Sequence, residues 1–320
     1  MHQGTNTFSL DVSPLFAAAG LSTNMVAEMN EHTYEVDLSD PRNNWLYPAF
    51  LGFKELQKRL IAEGKFVETF ATIGTGPGID AIGAHEIFHP RKIVMTDIHP
   101  DVLPIAEKNF SHHTKNDSIP HDAWQGHLAE PLRRNNILSD VIYANLPNVP
   151  FVQHNTSLFS QQLTSSFYNS VLNCAPSTIN RYLLTMQFDL LQDARSSLVD
   201  GGSVVVNLGG RVPVELVKVL FESSGYVYEE LFTMLKAQSQ PELMLPSYAR
   251  AEKEGRVEFD FYHFDEARNL IKKLPAEGVP ADHLKEILLP FRVSATQAVK
   301  LSKHHESIGH VVQIIRGVKE

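Results

Sequence analysis

Apolar and polar positions alternate in two different periods along most of this chain. The pattern predicts a buried strand in ETFATIG and a helix in IDAIGAHEIF, and then a second such pair in KIVMTD and PDVLPIAEKNF. Pro104 falls in or near the first turn of that second helix, where proline is tolerated. Two more strands are predicted in DVIYANL and SVVVNLGG, and a short one around AWQGHL. This alternation indicates a parallel sheet with helices on both faces.

The segments that flank this pattern predict mainly helices. Residues 8–40 are loosely amphipathic and end in a turn-rich stretch, and residues 1–40 are interpreted as an N-terminal helical cap. A helix follows in YPAFLGFKELQKRLIAEG, with Gly64 as its stop signal. The longest helical pattern is PSTINRYLLTMQFDLLQDARSSL, which begins at Pro176 and is followed by Gly201 and Gly202. The segment before it, which extends to Ala175, has no regular pattern.

The C-terminal part departs from the alternation. YVYEELFTMLKA and GHVVQIIRGV both predict strands, and the residues between them, about 237–305, are mostly helical or loop in pattern. Two final strands without a simple crossover suggest an antiparallel addition at the sheet edge. The predicted fold is α/β, with a doubly wound, Rossmann-like sheet that is mostly parallel and has an antiparallel C-terminal edge. The predicted organisation is a cap over 1–40 and one domain over 41–320, with the insertion at 237–305.

Composition narrows the class of protein. The 320 residues are 43% hydrophobic and 20% charged, with a formal net charge of −9, so neither a nucleic acid nor a membrane is an expected partner. The single cysteine, Cys174, excludes an internal disulfide framework and a cysteine-rich zinc site. No segment approaches the ~20 apolar residues that span a bilayer, and the N-terminus has no basic leader. We therefore expect a cytoplasmic protein.

The stretch FATIGTGPGIDAIGA places Gly74, Gly76 and Gly78 between the first buried strand and its helix. In an open parallel sheet, ligands bind at this carboxyl edge. Glycines let the backbone approach a ligand closely, and a helix N-terminus favours an anion. Asp97 ends the next strand, where a carboxylate can accept the hydroxyl protons of a ribose.

Three ligands suit such a turn in principle, and a tight turn with no ligand is the plain alternative. A dinucleotide requires G-x-G-x-x-G, but Ile79 occupies the sixth position. A nucleoside triphosphate requires a Lys-Ser or Lys-Thr pair that is absent here. S-adenosyl-L-methionine is compatible with G-x-G-x-G, because the helix end can bind its carboxylate and Asp97 its ribose.

These residues resemble a known family. FATIGTGPGIDAIGA with KIVMTDIHPDVLPIAEKNF resembles the first two motifs of class I S-adenosylmethionine-dependent methyltransferases. From about Asp40 onward the chain is similar to the methyltransferase domain of the plant methionine S-methyltransferases, which are related to release-factor glutamine methyltransferases. The narrower signal is the NLGGR block, Asn207–Arg211.

The resemblance implies a cofactor site for S-adenosyl-L-methionine. His127 matches the position that contacts the adenine, although the family usually has an acidic residue there and a surface histidine is the alternative. The cofactor-binding residues that it implies are Gly74, Thr75, Gly76, Gly78, Asp97, Ile98, His127, Leu128 and Asn145.

The methyl acceptor is less defined. Glutamine-modifying relatives carry Asn-Pro-Pro-Tyr where this chain has NLPNVPF, so Asn145 and Pro147 are in register as catalytic residues. The Asn145 side chain and the Leu146 carbonyl can accept N–H groups of an acceptor, or Asn145 can simply cap the loop. Pro147 and Pro150 stiffen this loop or only punctuate it.

Two residues are candidates for substrate binding. Tyr47 can close over the cofactor or pack in the core with Trp45, and Arg211 can pair with a substrate carboxylate or remain solvated. No metal is expected, because the paired histidines of the chain point apart and H-E-x-x-H is absent.

The sequence favours an S-adenosylmethionine-dependent methyltransferase that acts on nitrogen or sulfur of a small, amino-acid-like substrate. A protein side-chain, glutamine-type N-methyltransferase is the alternative acceptor class. A non-catalytic nucleotide-binding module is a third reading, and a nicotinamide dehydrogenase a fourth that Ile79 counts against. The sequence leaves the oligomeric state undetermined.

Overall fold

The fold is taken from a computed structural model of the chain. Cys174, Pro150 and most of the irregular stretch before Ala175 lie outside the residues that it describes. The described residues are 7–30, 33, 38–114, 119–149, 175–272 and 279–320.

Eleven strands occur within these ranges. In chain order they are β1 (Thr7–Asp11), β2 (Val26–Asn30), β3 (Thr69–Ile73), β4 (Lys92–Asp97), β5 (His121–Gln125), β6 (Ser139–Ala144), β7 (Leu198–Gly209), β8 (Tyr226–Ala237), β9 (Phe261–His263), β10 (Arg292–Val293) and β11 (Ile308–Lys319).

The same ranges contain twelve α-helices. They are α1 (Ser13–Ala18), α2 (Leu46–Ala62), α3 (Ile79–Phe88), α4 (Leu103–His113), α5 (Glu130–Arg134), α6 (Ser177–Arg181), α7 (Thr185–Ala194), α8 (Val214–Ser223), α9 (Pro241–Gly255), α10 (Phe264–Ile271), α11 (Ala281–Leu288) and α12 (Ala295–Lys303). None of these helices is long and apolar enough to cross a membrane.

The contacts of the chain group it into two compact units. The first unit consists of Met1–Asn145, Leu190–Val206 and Arg316–Glu320, and the second of Leu146–Asp189 and Asn207–Ile315. The predicted division into a cap over 1–40 and a domain over 41–320 stays a prediction.

The predicted fold class is confirmed by the sheet. Strands β3, β4, β5, β6 and β7 pair in parallel, whereas β9 is antiparallel to both β10 and β11. The strand order is β10-β9-β11-β7-β6-β3-β4-β5, and β8 pairs with β11 beside this path. The chain therefore forms a mostly parallel, Rossmann-like α/β sheet with one antiparallel edge.

The strand order reverses at β3, which is the feature that positions the candidate site. In the first unit, β4 and β5 lie on one side of β3, and β6 and β7 lie on the other. Ile73 at the end of β3 is opposite Thr96 in β4 and Ala144 in β6. The carboxyl ends of these strands are thus level, and the turn after Ile73 lies at the switch point where open α/β sheets bind ligands.

The prediction of one long helix from Pro176 was wrong. The segment forms α6 and α7 and a short 3₁₀ turn, and Leu183, between the two helices, has a φ of 62° that no α-helix accommodates. Strand β7 begins at Leu198, ahead of the two glycines that were interpreted as a helix stop. Gly201 has a φ of 69° and lies where the pairing of β6 with β7 shifts register.

The expected helical character of the N-terminal segment is corrected as well. Within the described part of residues 1–40, only α1 is an α-helix. Strands β1 and β2 flank it and pair antiparallel, with Phe8 opposite Met29 and Leu10 opposite Ala27. The apolar residues here recur every second position, which is the strand period, and this pattern outweighs the loose helical one.

The C-terminal strands differ in position from the expectation. β8 and β11 are both present, but β11 lies between β7 and β9, so the antiparallel edge is made by β9 and β10. These two short strands come from the insertion, which otherwise contains α9 to α12 as the mostly helical pattern predicted. A strand of two or three residues is too short to show an apolar period, which is why the pattern missed both.

The core of the first unit explains why α2 and α3 form where they do. Phe53 of α2 packs against the rings of Phe70, Phe88 and Tyr143, with ring centroids 4.8 to 5.6 Å apart. Aromatic contacts at these distances add to the stabilisation from area burial. Gly83 of α3 lies so close to α2 that a Cβ there would be 2.1 Å from the ring of Phe50.

We therefore predict that Gly83→Ala lowers the free energy of unfolding by about 1–3 kcal/mol, because the added methyl group overlaps the Phe50 ring. The better helix propensity of alanine offsets only about 1 kcal/mol of the steric cost. The measurement is urea denaturation. Gly255→Ala is the matched control, because its Cβ would lie at an ordinary 3.4 Å from Val257. Equal stability of the two variants would contradict the close packing of α2 on α3.

Candidate cofactor site

The three glycines after β3 form a tight left-handed turn. Gly74, Gly76 and Gly78 have φ values of 72°, 52° and 80°, which residues other than glycine rarely adopt. The amides of Gly74 and Thr75 donate to the Thr96 carbonyl at 2.9 and 3.0 Å, which ties the turn to β4. The turn is therefore held by backbone bonds as well as permitted by its composition.

The glycines differ in what surrounds them. A Cβ on Gly78 would lie 3.2 Å from Ala106 of α4, so this glycine is required by helix packing. A Cβ on Gly76 would meet nothing within 4 Å, so the backbone at Gly76 faces open space. Gly76 is thus a point of the turn at which a ligand can approach the main chain.

Asp97 lies next to that point. Its Oδ2 accepts the Gly76 amide and its Oδ1 accepts the His99 amide, each at 3.0 Å, and only 7% of the residue is exposed. Burial raises the pKa of Asp97, although the two amide bonds act in the opposite direction. Each carboxylate oxygen accepts more than one hydrogen bond, so Asp97 keeps capacity for ligand hydroxyl groups.

A second carboxylate, Asp80, lies beneath the turn in the first turn of α3. Its Oδ1 accepts the hydroxyl of Thr75 at 3.0 Å and the amide of Ala81 at 2.8 Å, and its Oδ2 accepts the hydroxyl of Thr72. Burial raises the pKa of Asp80 to about 6, and the negative charge of Asp97 adds to this shift. The sequence interpretation missed Asp80, although its position in the otherwise apolar start of IDAIGAHEIF was an available signal.

The predicted adenine-side residues lie at the neighbouring strand ends. Ile98 is 48% exposed, and its carbonyl accepts the side-chain amide of Gln125 at 3.3 Å. Gly126 donates its amide to the Asp97 carbonyl at 3.0 Å, which brings the segment after β5 beside Asp97. His127 is half-buried, and Leu128 is buried with a φ of 49°.

Asn145 and Tyr47 complete the predicted residues of the first unit. Asn145 is half-buried and directly follows Ala144, which is opposite Ile73, so it lies at the same sheet edge as the turn. Tyr47 is half-buried in the first turn of α2, where its amide donates to the Asn44 carbonyl at 3.2 Å. The role of Tyr47 in closing over a cofactor stays a prediction.

Pro147 and Arg211 belong to the second unit. Arg211 is only 1% exposed, so the alternative of a solvated arginine was wrong. Its Nε and Nη2 donate to Oε1 of Gln238 at 3.2 and 2.8 Å, and its guanidinium carbon lies 5.1 Å from the ring centroid of Tyr248. Pairing of Arg211 with a substrate carboxylate stays a prediction.

The loop that contains Pro147, which is half-buried, is held from within the second unit. The side-chain Nδ2 of Asn148 donates to the Gly209 carbonyl at 2.9 Å, and the Tyr248 hydroxyl donates to the backbone carbonyl of Asn148 at 2.8 Å. Nε2 of Gln187 donates to the Leu146 carbonyl at 3.0 Å. This is the carbonyl that the sequence interpretation offered to an acceptor N–H, and Gln187 was missed because no local pattern marks it.

His310 accepts a hydrogen bond that defines its charge. Nη2 of Arg211 lies 3.0 Å from Nε2 of His310, and because arginine only donates, the imidazole nitrogen accepts and the ring is neutral. Burial lowers the pKa of His310 well below its ordinary 6.5, and the charges of Arg211 and Lys236 lower it further.

We predict that this histidine contributes a pH dependence to stability. Below pH 6.5 the unfolded chain binds a proton at residue 310 and the folded chain does not, so stability falls as pH falls, by at most about 1.4 kcal/mol per pH unit. In His310→Gln, whose amide oxygen can still accept from Arg211, the free energy of unfolding should decline less between pH 6.5 and pH 5. The exposed His304→Gln serves as the control. An unchanged slope in His310→Gln would contradict the neutral, buried assignment.

The residues of the first unit are compatible with S-adenosyl-L-methionine. The open backbone at Gly76 gives room for a ligand, and the Asp97 carboxylate beside it suits hydroxyl donors. The half-exposed Ile98 adds an apolar surface next to Asp97. Over the described part of the chain, no group of three or more histidine, cysteine, aspartate or glutamate side chains is arranged to hold a metal ion.

Comparisons with known proteins give similarity at the level of solved structures. No family profile matches this sequence, and no curated protein matches it. One similar structure is the ribosomal protein L11 methylase from Lactobacillus delbrueckii subsp. bulgaricus, with 19% identity, 59% of this chain and 71% of that chain covered, and a TM-score of 0.37.

Two further similar structures are also methyltransferases. Precorrin-6y C5,15-methyltransferase from Geobacter metallireducens is 12% identical, with 84% of this chain and 87% of that chain covered and a TM-score of 0.40. An O-methyltransferase from a multienzyme of Brevibacillus brevis, in complex with S-adenosyl-L-homocysteine, is 14% identical, with 83% and 71% covered and a TM-score of 0.38. Similarity of this degree defines neither an activity nor a substrate for the present chain.

Proposed function

We propose that the protein is an S-adenosylmethionine-dependent methyltransferase. The observation that supports this most directly is the pairing of an open glycine backbone at Gly76 with the Asp97 carboxylate, at the switch point of a parallel sheet. A dinucleotide enzyme is disfavoured, because Ile79 stands where its turn requires a third spaced glycine.

In this proposal, each predicted residue of the first unit has a defined task. The main chain of the glycine turn and the N-terminus of α3 bind the carboxylate of the cofactor. Asp97 accepts the ribose hydroxyls, Ile98 and Leu128 contact the adenine, and His127 hydrogen-bonds the adenine edge. The residues assigned to the cofactor are Gly74, Thr75, Gly76, Gly78, Asp97, Ile98, His127, Leu128 and Asn145.

The bound cofactor supplies an electrophilic methyl group on a sulfonium, so no covalent activation of the protein is needed. The chain contributes position, which is worth about 7–11 kcal/mol for well-oriented reactants. Asn145 orients the acceptor through its side-chain oxygen, and Pro147 stiffens the loop that follows. Exclusion of water strengthens the fixed dipoles that orient the reacting groups.

The proposed acceptor is nitrogen or sulfur of a small, amino-acid-like molecule, with Tyr47 and Arg211 as its binding residues. This class rests on the sequence resemblance to the plant methionine S-methyltransferases. A protein glutamine is the second candidate, and one contact favours it. The Leu146 carbonyl accepts a primary amide N–H from Gln187 at 3.0 Å, which is the group that a glutamine acceptor presents.

The sequence also supports the remaining parts of the proposal. We propose a cytoplasmic enzyme without nucleic-acid substrates, since the net charge of −9 opposes a polyanionic partner. The proposed domain organisation keeps 1–40 as an extension and 41–320 as the methyltransferase domain, with 237–305 as an insertion.

The first test is binding of S-adenosyl-L-homocysteine by calorimetry. We expect wild type to bind this nucleoside and not NAD. Asp97→Ala should weaken binding about 10- to 100-fold, because it removes hydrogen bonds to a charged group. Asp122→Ala is the matched control, since Asp122 lies near the start of β5, away from its carboxyl end, and pairs with Lys92 at the start of β4.

Wild type that binds NAD but not S-adenosyl-L-homocysteine would overturn the proposed function. Equal binding by wild type and Asp97→Ala would show that the ribose does not lie at Asp97. Thermal unfolding of the variants without ligand checks that each is folded.

The second test is methyl transfer from labelled cofactor. A pool of small amines, thioethers and amino acids is compared with a pool of unfolded proteins, and we expect label in the small-molecule pool. Label in the protein pool alone would favour the glutamine-type enzyme. Tight cofactor binding without transfer to either pool would indicate a non-catalytic binding module.

A further inference from the structure

Asp80 has no task in the proposed mechanism. This carboxylate is 5% exposed, and Thr75, whose hydroxyl it accepts at 3.0 Å, is the residue between Gly74 and Gly76. An ionised carboxylate in such surroundings is costly unless its hydrogen bonds are satisfied. The hydrogen bonds from Thr72, Thr75 and Ala81 offset part of the cost of ionising Asp80, and the bond from Thr75 ties the carboxylate to the turn.

The turn is attached to carboxylates on two sides. Asp80 holds the side chain of Thr75 from α3, and Asp97 holds the amide of Gly76 from β4 at 3.0 Å. Between these two attachments lies the backbone that faces open space at Gly76. Three residues with positive φ have many accessible conformations in the absence of such attachments.

We propose that Asp80 is a positioning residue, which fixes the glycine turn through Thr75 and thereby sets how tightly the turn binds the cofactor. The inference rests on the proposed function. The oxygens of Asp80 accept hydrogen bonds from Thr72, Thr75 and Ala81. It acts through the turn.

The groups that face Asp80 from neighbouring elements are mostly uncharged. β3 and the turn present the hydroxyls of Thr72 and Thr75. From α2, Phe50 packs against Gly83, which lies on α3 together with Asp80. α4 presents Ala106 to Gly78, and its Asn109 donates to the Pro77 carbonyl at 2.9 Å. Asp97 of β4 is a charged group that acts on Asp80, and His99 is a titratable group that acts on Asp97.

Protonation of Asp80 weakens the attachment. A neutral carboxyl accepts weaker hydrogen bonds than a carboxylate does, and one of its oxygens becomes a donor. Because burial raises the pKa of Asp80 to about 6, the group is ionised at pH 8 and largely protonated at pH 5. Cofactor affinity should therefore fall as pH falls through about 6.

The test measures dissociation constants for S-adenosyl-L-homocysteine at pH 8 and pH 5. Asp80→Asn and Thr75→Val should each weaken binding about tenfold at pH 8, as expected for loss of one hydrogen bond to a charged group. Thr75→Ser, which keeps the hydroxyl, should bind with nearly wild-type affinity. Thr69→Val makes the same chemical change at the start of β3 and should have no effect.

The pH profile separates positioning from a merely structural role. Wild type should bind several-fold more weakly at pH 5 than at pH 8, and Asp80→Asn should lose most of that difference. The double variant Thr75→Val/Asp80→Asn should bind no more weakly than either single variant, since both substitutions remove the same hydrogen bond between Thr75 and Asp80.

A second measurement needs no ligand. Hydrogen exchange of the peptide that covers residues 74–78 should be faster in Asp80→Asn and Thr75→Val than in wild type, at one pH. Thr75→Val also keeps the inference testable if Asp80→Asn does not fold.

The outcomes distinguish the two proposals. If wild type binds S-adenosyl-L-homocysteine but Thr75→Val and Asp80→Asn bind it equally well at pH 8, the positioning role is refuted and the proposed function stands. If wild type does not bind it at any pH, the proposed function fails and takes the affinity claim with it. The hydrogen exchange result then still shows whether Asp80 holds the turn.

Discussion

The candidate site depends on one constraint, which is that a glycine turn must leave its backbone accessible while keeping a single shape. Glycine alone supplies the first property and undermines the second, because a residue without Cβ adopts many conformations. Here the turn after β3 is tied to the Thr96 carbonyl through the amides of Gly74 and Thr75, and to two carboxylates. Packing of Gly78 on Ala106 fixes its end. The backbone at Gly76 still faces open space.

Holding the turn with buried carboxylates costs stability at neutral pH. Burial raises the pKa values of both Asp80 and Asp97, so ionisation of each is opposed by the fold. Because the pKa of Asp80 is higher in the folded state than in the unfolded chain, ionisation of Asp80 lowers the free energy of unfolding. Its unfavourable contribution is absent below 3.8 and grows as pH rises toward about 6. Strain of this kind is typical of functional sites, where the geometry of a ligand outweighs local stability.

The second unit has its own polar core. Arg211 is enclosed by Gln238, His310 and the ring of Tyr248, and the same tyrosine holds the loop at Asn148. A guanidinium buried this deeply stabilises the unit only while its hydrogen bonds remain. Any role of Arg211 in recognising a carboxylate would therefore involve rearrangement of bonds that already exist.

The parallel strands, their helices and the glycine turn with Asp97 were all predictable from the sequence, because strong local periods and turn residues mark them. The sequence failed where tertiary contacts outweigh the pattern. Leu183 interrupts a helix that its sequence favours, and β9 and β10 are too short to show a period. Only the tertiary structure revealed that Asp80 is bonded to Thr75, that Gln187 donates to the Leu146 carbonyl, and that Arg211 is buried. Each of these depends on contacts between different elements or loops, and a local sequence pattern does not show which residues meet in the fold.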